Sequence, residues 1–129
     1  MKTIFVVDDN ISVLAEAEEY LEKHYTVVTL QSAESLFAVI EKVTPDLILL
    51  DIVLEGMSGM EALQVLKSNE KYKDIPVVFL TGLTDPDTET IGISLGVTDF
   101  IRKPFSEAIL LNRVKNYFDL IEFRKSQEN

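Results

Sequence analysis

Cysteine is absent from the 129 residues, which removes disulfides, thiolate zinc sites and thiol nucleophiles together. The one histidine, His24, falls near the end of the first helical pattern, where the helix dipole favours positive charge. It is read as neither a phosphohistidine nor a metal ligand. No apolar run approaches the roughly 20 residues that span a bilayer. The N-terminus carries no signal-peptide pattern, so a cytoplasmic chain with no membrane partner is the expectation. Positive charge is scarce: 12 Lys and Arg stand against 22 Asp and Glu, a formal net charge of −10. Such a surface repels phosphate backbones and argues against direct nucleic-acid binding. There is no internal repeat and no low-complexity tract. A hydrophobic share of 47% is ordinary for a globular domain and too high for a disordered one. One domain over 1–124 is expected, with 125–129 a C-terminal tail or the start of a linker.

What is present is an alternation of apolar runs and helical patterns. Ile4-Phe5-Val6-Val7 ends abruptly at Asp8-Asp9-Asn10, and Ile11, Leu14, Ala15, Glu18 and Leu21 then recur at helical spacing. A second strand is expected over 25–30. Ser32 is positioned to cap a helix that carries Leu36 to Val43, stopped by Pro45. Asp46 to Leu50 is apolar without alternation beyond its first residue, the mark of a strand covered on both faces. Gly56 and Gly59 mark a loop before the helix of Met60, Leu63 and Leu66. Ile75–Leu80 reads as the fourth strand, Asp87–Leu95 as a short helix closed by Gly96, Val97–Ile101 as the fifth strand, and Ser106 to about Arg124 as the last helix. Strands alternating with helices imply an α/β domain, doubly wound around a parallel five-stranded sheet with right-handed crossovers.

Ligands of open α/β sheets bind at the carboxyl ends of the strands. Those ends carry Asp8, Asp9 and Asn10, then Asp51, then Thr81 and Gly82, then Arg102, Lys103 and Pro104. Asp8, Asp9 and Asp51 read singly are ordinary caps of strand-to-helix turns. Together they repel: two like charges 4 Å apart cost about 4 kcal/mol at an effective dielectric near 20. Lys103 alone is too little to offset three carboxylates, and a hard divalent ion, Mg²⁺ with Mn²⁺ as its alternative, fits the oxygen donors. An aspartate beside such an ion is a competent phosphoryl nucleophile, with Lys103 and the Thr81 hydroxyl placed for the transferred oxygens.

The stretches Val6-Val7-Asp8-Asp9-Asn10, Leu49-Leu50-Asp51, Gly56-Met57-Ser58-Gly59, Phe79-Leu80-Thr81-Gly82 and Asp99-Phe100-Ile101-Arg102-Lys103-Pro104-Phe105 resemble the receiver domain of two-component response regulators, in order and spacing, over nearly the whole chain. The resemblance implies a flavodoxin-like sheet in the order 2-1-3-4-5 with helices on both faces. It implies that Asp51 accepts a phosphoryl group from a histidine kinase or a phosphotransfer protein. Asp8, Asp9, Asp51 and the backbone carbonyl of Val53 would hold the metal, Asp9 directly and Asp8 partly through water. Thr81 and Phe100 would be the switch pair, Lys103 the phosphoryl contact, and Lys103–Pro104 a cis bond. The switching surface would be the face of helix 4, strand 5 and helix 5, open to an output domain, a downstream protein or a second copy in a homodimer.

Several positions depart from the commonest pattern of that family. Glu55 stands where proline is frequent, and Phe100 lacks the hydroxyl of a tyrosine. Val53 and Leu83 occupy the two positions that influence water's approach to the phosphoryl group, and neither can orient it; slow autodephosphorylation is the expectation. The fourth helix is poor in propensity, with Thr88, Thr90, Ile91, Gly92 and Ile93. Two rival readings share the architecture: a pseudo-receiver that binds partners without phosphate, and a flavodoxin-like FMN binder. Asp8-Asp9 in the first loop would repel a cofactor phosphate.

Overall fold

The computed structural model describes residues 1–82 and 86–128. The elements run β1 (Thr3–Val7), α1 (Ile11–Leu21), β2 (Thr26–Leu30), α2 (Ala33–Ile40), β3 (Leu47–Asp51), α3 (Gly59–Lys67), β4 (Val77–Thr81), α4 (Pro86–Ser94), β5 (Asp99–Arg102) and α5 (Glu107–Glu128). All strand pairs are parallel and the sheet order is β2-β1-β3-β4-β5. The parallel, doubly wound sheet is the one expected from the alternation of runs and helices, and its strand order is the one the resemblance implies.

The strand residues supply two cores because successive side chains point to opposite faces. Phe5, Val7, Ile48, Leu50, Val77 and Phe79 pack with Leu36, Ile40, Ala62, Leu63 and Leu66 of α2 and α3. Ile4, Val6, Leu47, Leu49, Val78, Leu80 and Ile101 pack with Leu14, Ala17 and Leu21 of α1 and with Leu110, Val114 and Phe118 of α5. The central strands β3 and β4 are buried at every position, which accounts for their lack of alternation.

Helix starts follow local chemistry. The Asn10 side chain accepts from Ser12 N (2.9 Å) and Val13 N (3.3 Å), and the Ser32 hydroxyl accepts from Ser35 N (3.0 Å). Ser58 accepts from Glu61 N (3.2 Å), and Gly59 begins α3 rather than ending a loop. That Ser-x-x-Glu spacing is the sequence signature of a capping box, and here the Ser58 hydroxyl also donates to Glu61 Oε1 (3.3 Å). Helix α2 ends at Ile40, short of Val43: Lys42 and Val43 both donate to the Val39 carbonyl, so the chain tightens into turns ahead of Pro45. Helix α4 closes with Gly96 N donating to Ile93 O and Val97 N to Gly92 O, around Gly96 at φ +94°. A left-handed residue at that place is the Schellman ending that glycine favours. Helix α5 continues to Glu128, one turn past Arg124, and leaves Phe123 61% exposed.

Candidate functional site

The carboxyl ends of β1, β3 and β5 converge on a cavity of about 330 Å³, lined by Asp8, Asp9, Asn10, Asp51, Val53, Gly82 and Lys103. β1 lies between β2 and β3, so the chain leaves it first to one side and then to the other, and the crevice opens at that reversal. Carboxylate oxygens of Asp8, Asp9 and Asp51 lie within 4.8 Å of one another. A like-charge pair at that distance repels by about 3 kcal/mol at an effective dielectric near 20.

The three carboxylates differ in how far the protein satisfies them. Asp8 is fully buried; its Oδ1 accepts from Asn10 N (2.9 Å) and its Oδ2 from Lys103 Nζ (2.9 Å). Asp51 is buried too, with Oδ1 accepting from Val53 N (3.3 Å) and Oδ2 3.4 Å from Lys103 Nζ. Asp9 is exposed at the rim. One ammonium therefore bridges two carboxylates from strands 1 and 3, leaving the trio with net charge near −2.

Burial, and then the Asp8 carboxylate, push the Asp51 pKa up to about 6; Lys103 and the Val53 N–H oppose this without cancelling it. For Lys103 burial pulls the pKa down, but the Asp8 hydrogen bond and the charges of Asp51 and Asp8 outweigh it, and the net direction is up. An ammonium that stays charged and a carboxylate held above its ordinary value form an unbalanced pair. The oxygen-only donors and residual negative charge fit a hard divalent cation; Asp9 is exposed, and the contacts on Asp51 (3.3 and 3.4 Å) are longer than those on Asp8 (both 2.9 Å).

Backbone packing fixes this arrangement. A Cβ on Gly59 would collide with the Asp51 carbonyl oxygen and lie 2.8 Å from Ile52 Cα, so α3 starts in contact with the end of β3. Gly59 N donates to Ile52 O at 2.9 Å. Thr81 ends β4, is 6% exposed, and its carbonyl accepts from Lys103 N at 2.8 Å. The Lys103–Pro104 peptide is cis.

The expected residues thus fall into groups. Asp8, Asp9, Asp51, Val53 and Lys103 share the cavity, Thr81 is buried at the end of the adjoining strand, and Val53 is 62% exposed. Phe100 is half-buried on the α4 side of β5, its ring centroid 5.8 Å from that of Phe79. Leu83 lies outside the described residues. Sequence reasoning missed a second set of contacts on the opposite side of β5. The Tyr117 hydroxyl donates to Asp99 Oδ2 (2.8 Å), and Arg113 Nη1 donates to the Phe100 carbonyl (3.2 Å). Burial first, then the Asp99 hydrogen bond and charge, raise the Tyr117 pKa to about 12. No spacing rule links residues 99 and 117, so nothing in the sequence could have flagged the pair.

A model of the response regulator receiver domain matches residues 4–115. The chain is similar to the phosphate regulon transcriptional regulatory protein PhoB of Pseudomonas aeruginosa, 38% identical over 88% of this chain and 50% of that protein. It is also similar to a probable cyclic di-GMP phosphodiesterase of Vibrio cholerae, 36% identical over 89% of this chain and 26% of that protein. The chain thus spans half or less of the length of these two relatives. Among solved structures, a CheY-like response regulator receiver domain protein of Methanospirillum hungatei superposes with a TM-score of 0.88 at 27% identity, covering 96% of this chain and 98% of that one.

Proposed function

Because the chain belongs to the response regulator receiver domain family of two-component signalling, we propose that it is a phosphoryl-accepting switch with Asp51 as acceptor. The observation that carries this reading is the Asp8, Asp9 and Asp51 cluster, with Lys103 bridging two of its members.

The donor would be the phosphohistidine of a histidine kinase or a phosphotransfer protein. The phosphorus–nitrogen bond breaks as a phosphorus–oxygen bond to the Asp51 carboxylate forms, and the histidine leaves as neutral imidazole after taking up one proton. Asp9, Asp51 and the Val53 carbonyl would hold Mg²⁺, with Asp8 acting partly through water. When bound, the ion supplies charge neutralisation for the incoming oxygens. Lys103, already held by Asp8, pairs with a phosphoryl oxygen without having to be brought in from solvent. The domain is regulatory, and the only chemistry proposed for it is on its own aspartate. The readout would be a shift of the surface formed by α4, β5 and α5 toward an output domain, a downstream protein or a second copy.

Intact mass after incubation with acetyl phosphate and Mg²⁺ tests the reading. A gain of one phosphoryl group is expected, absent without Mg²⁺ and absent in Asp51→Asn. No gain in the wild-type chain together with no Mg²⁺ binding would overturn it.

Loss of the phosphoryl group is expected to be slow. Val53 lines the cavity with an apolar, exposed side chain that offers no hydrogen-bonding group to a water attacking in line. Val53→Asn combined with Leu83→Glu is expected to accelerate decay about tenfold or more, followed as return of the unmodified mass. Wild-type decay within seconds at neutral pH would contradict it.

A further inference from the structure

Within Pro86–Ser94, helix α4 buries no apolar side chain of its own; Leu95, in the closing turn, is half-buried against the core. Gly92 is its only buried residue, and its isoleucines Ile91 and Ile93 are 51% and 66% exposed. The contact is made from the other side. A Cβ built on Gly92 would lie 2.8 Å from Cζ and 3.4 Å from Cε1 of Phe100, and 3.3 Å from Cε2 of Phe79. The glycine is a notch in the helix, and the Phe100 ring, tilted at 48° against that of Phe79, fills it. Gly92 also provides the carbonyl that receives Val97 N, so the notch and the helix ending are one unit.

We propose that Gly92 is a positioning residue for the switch: its missing side chain is the seat of the Phe100 ring, and the ring in that seat holds the middle of α4 against the sheet. Rotation of Phe100 out of the notch takes away the nearest neighbour of the one buried residue of α4 and leaves Gly92 facing only Phe79, so the middle of the helix is held less tightly. The seat stands on packing alone. Its coupling to Asp51 rests on the phosphoryl-switch reading above.

Alanine normally exceeds glycine in a helix interior by about fivefold in the folded-to-unfolded ratio. The notch reverses that sign, because an added methyl and the Phe100 ring claim the same space and the ring is backed by Phe79. Hydrogen exchange of α4 amides in the wild type, Gly92→Ala, Phe100→Leu and the double variant tests it. Gly92→Ala is expected to speed α4 exchange about tenfold in the parent, and to slow it several-fold in the Phe100→Leu background. Equal slowing in both backgrounds would overturn the proposal. Should Gly92→Ala fail to fold, Phe100→Ala reads the same seat: α4 exchange must rise while that of α1 does not, and unchanged α4 exchange refutes it. Adding Mg²⁺ and beryllofluoride, a phosphoryl mimic, provides the functional arm. It is expected to change α4 exchange in the wild type and leave it unchanged in Gly92→Ala. A wild-type chain that binds no beryllofluoride defeats the phosphoryl-switch reading and leaves the four-variant cycle to decide the seat.

Discussion

In buffer free of divalent ions, Asp51→Asn is expected to be more stable than the parent by about 3 kcal/mol at pH 7 while losing phosphoryl acceptance entirely. The direction follows from the Asp51 pKa, raised from 3.8 to about 6 by burial and by Asp8. Below pH 4 the carboxyl is protonated in both folded and unfolded chains and costs nothing. Between about pH 4 and pH 6 the unfolded chain releases the proton and the folded chain keeps it, so folding stability falls as pH rises. Above pH 6 the deficit is complete. Asparagine does not titrate and still accepts the Val53 N–H, so its advantage should shrink to near zero at pH 4. Urea unfolding of both proteins at pH 4 and 7 reads the difference, and a variant less stable at pH 7 than at pH 4 relative to the parent would refute it. The same logic makes Mg²⁺ stabilise the parent more than the variant.

Among alanine substitutions at the chain's glycines, Gly59→Ala is expected to do the most damage. The new Cβ collides with the carbonyl oxygen of Asp51 and closes on Ile52 Cα, both backbone atoms of a fully buried strand. Nothing there can rotate aside, unlike the neighbour of Gly56, which is the flexible end of Glu34. Overpacking of a core costs typically 1–3 kcal/mol, and a backbone collision belongs at or above the upper end, about 3 kcal/mol. Helix α3 must then retreat, taking with it the 52–58 loop that carries the Val53 N–H and carbonyl. Phosphoryl uptake should fall by at least an order of magnitude even where the protein remains folded. Unfolding midpoint and the rate of mass gain with acetyl phosphate measure the two effects. Parent-like uptake would show that the β3–α3 contact does not position Asp51.

Much of this architecture was legible because it obeys one-dimensional rules. The apolar runs end at charged residues, and those residues sit at strand ends, so the acidic cluster could be located before any coordinates. Ser32 was readable as a cap for the same reason. The boundaries that shifted did so where tertiary context decides: α2 stops at Ile40 because its last turn tightens on the Val39 carbonyl, although Val43 continues the apolar pattern. What was not legible depends on distances between segments remote in sequence. Lys103 could be assigned to the cluster, but not the fact that it is bound to Asp8 and thereby leaves Asp9 as the uncommitted carboxylate. Gly92 reads in sequence as a helix weakened by glycine. Only the approach of Phe100 turns that weakness into a fit.

Strand β5 has four residues and a single neighbour, β4. Its adjacent residues look in opposite directions: Phe100 into the α4 notch, and Asp99 toward the Tyr117 hydroxyl on α5. The Phe100 carbonyl, meanwhile, is gripped by Arg113. One peptide unit at an unsupported sheet edge is therefore a fork between two helices. Two proteins docking separately on α4 and on α5 would not bind independently. Each would bias the same short edge, and by linkage whatever affinity the first lends to or takes from the second is returned in equal measure.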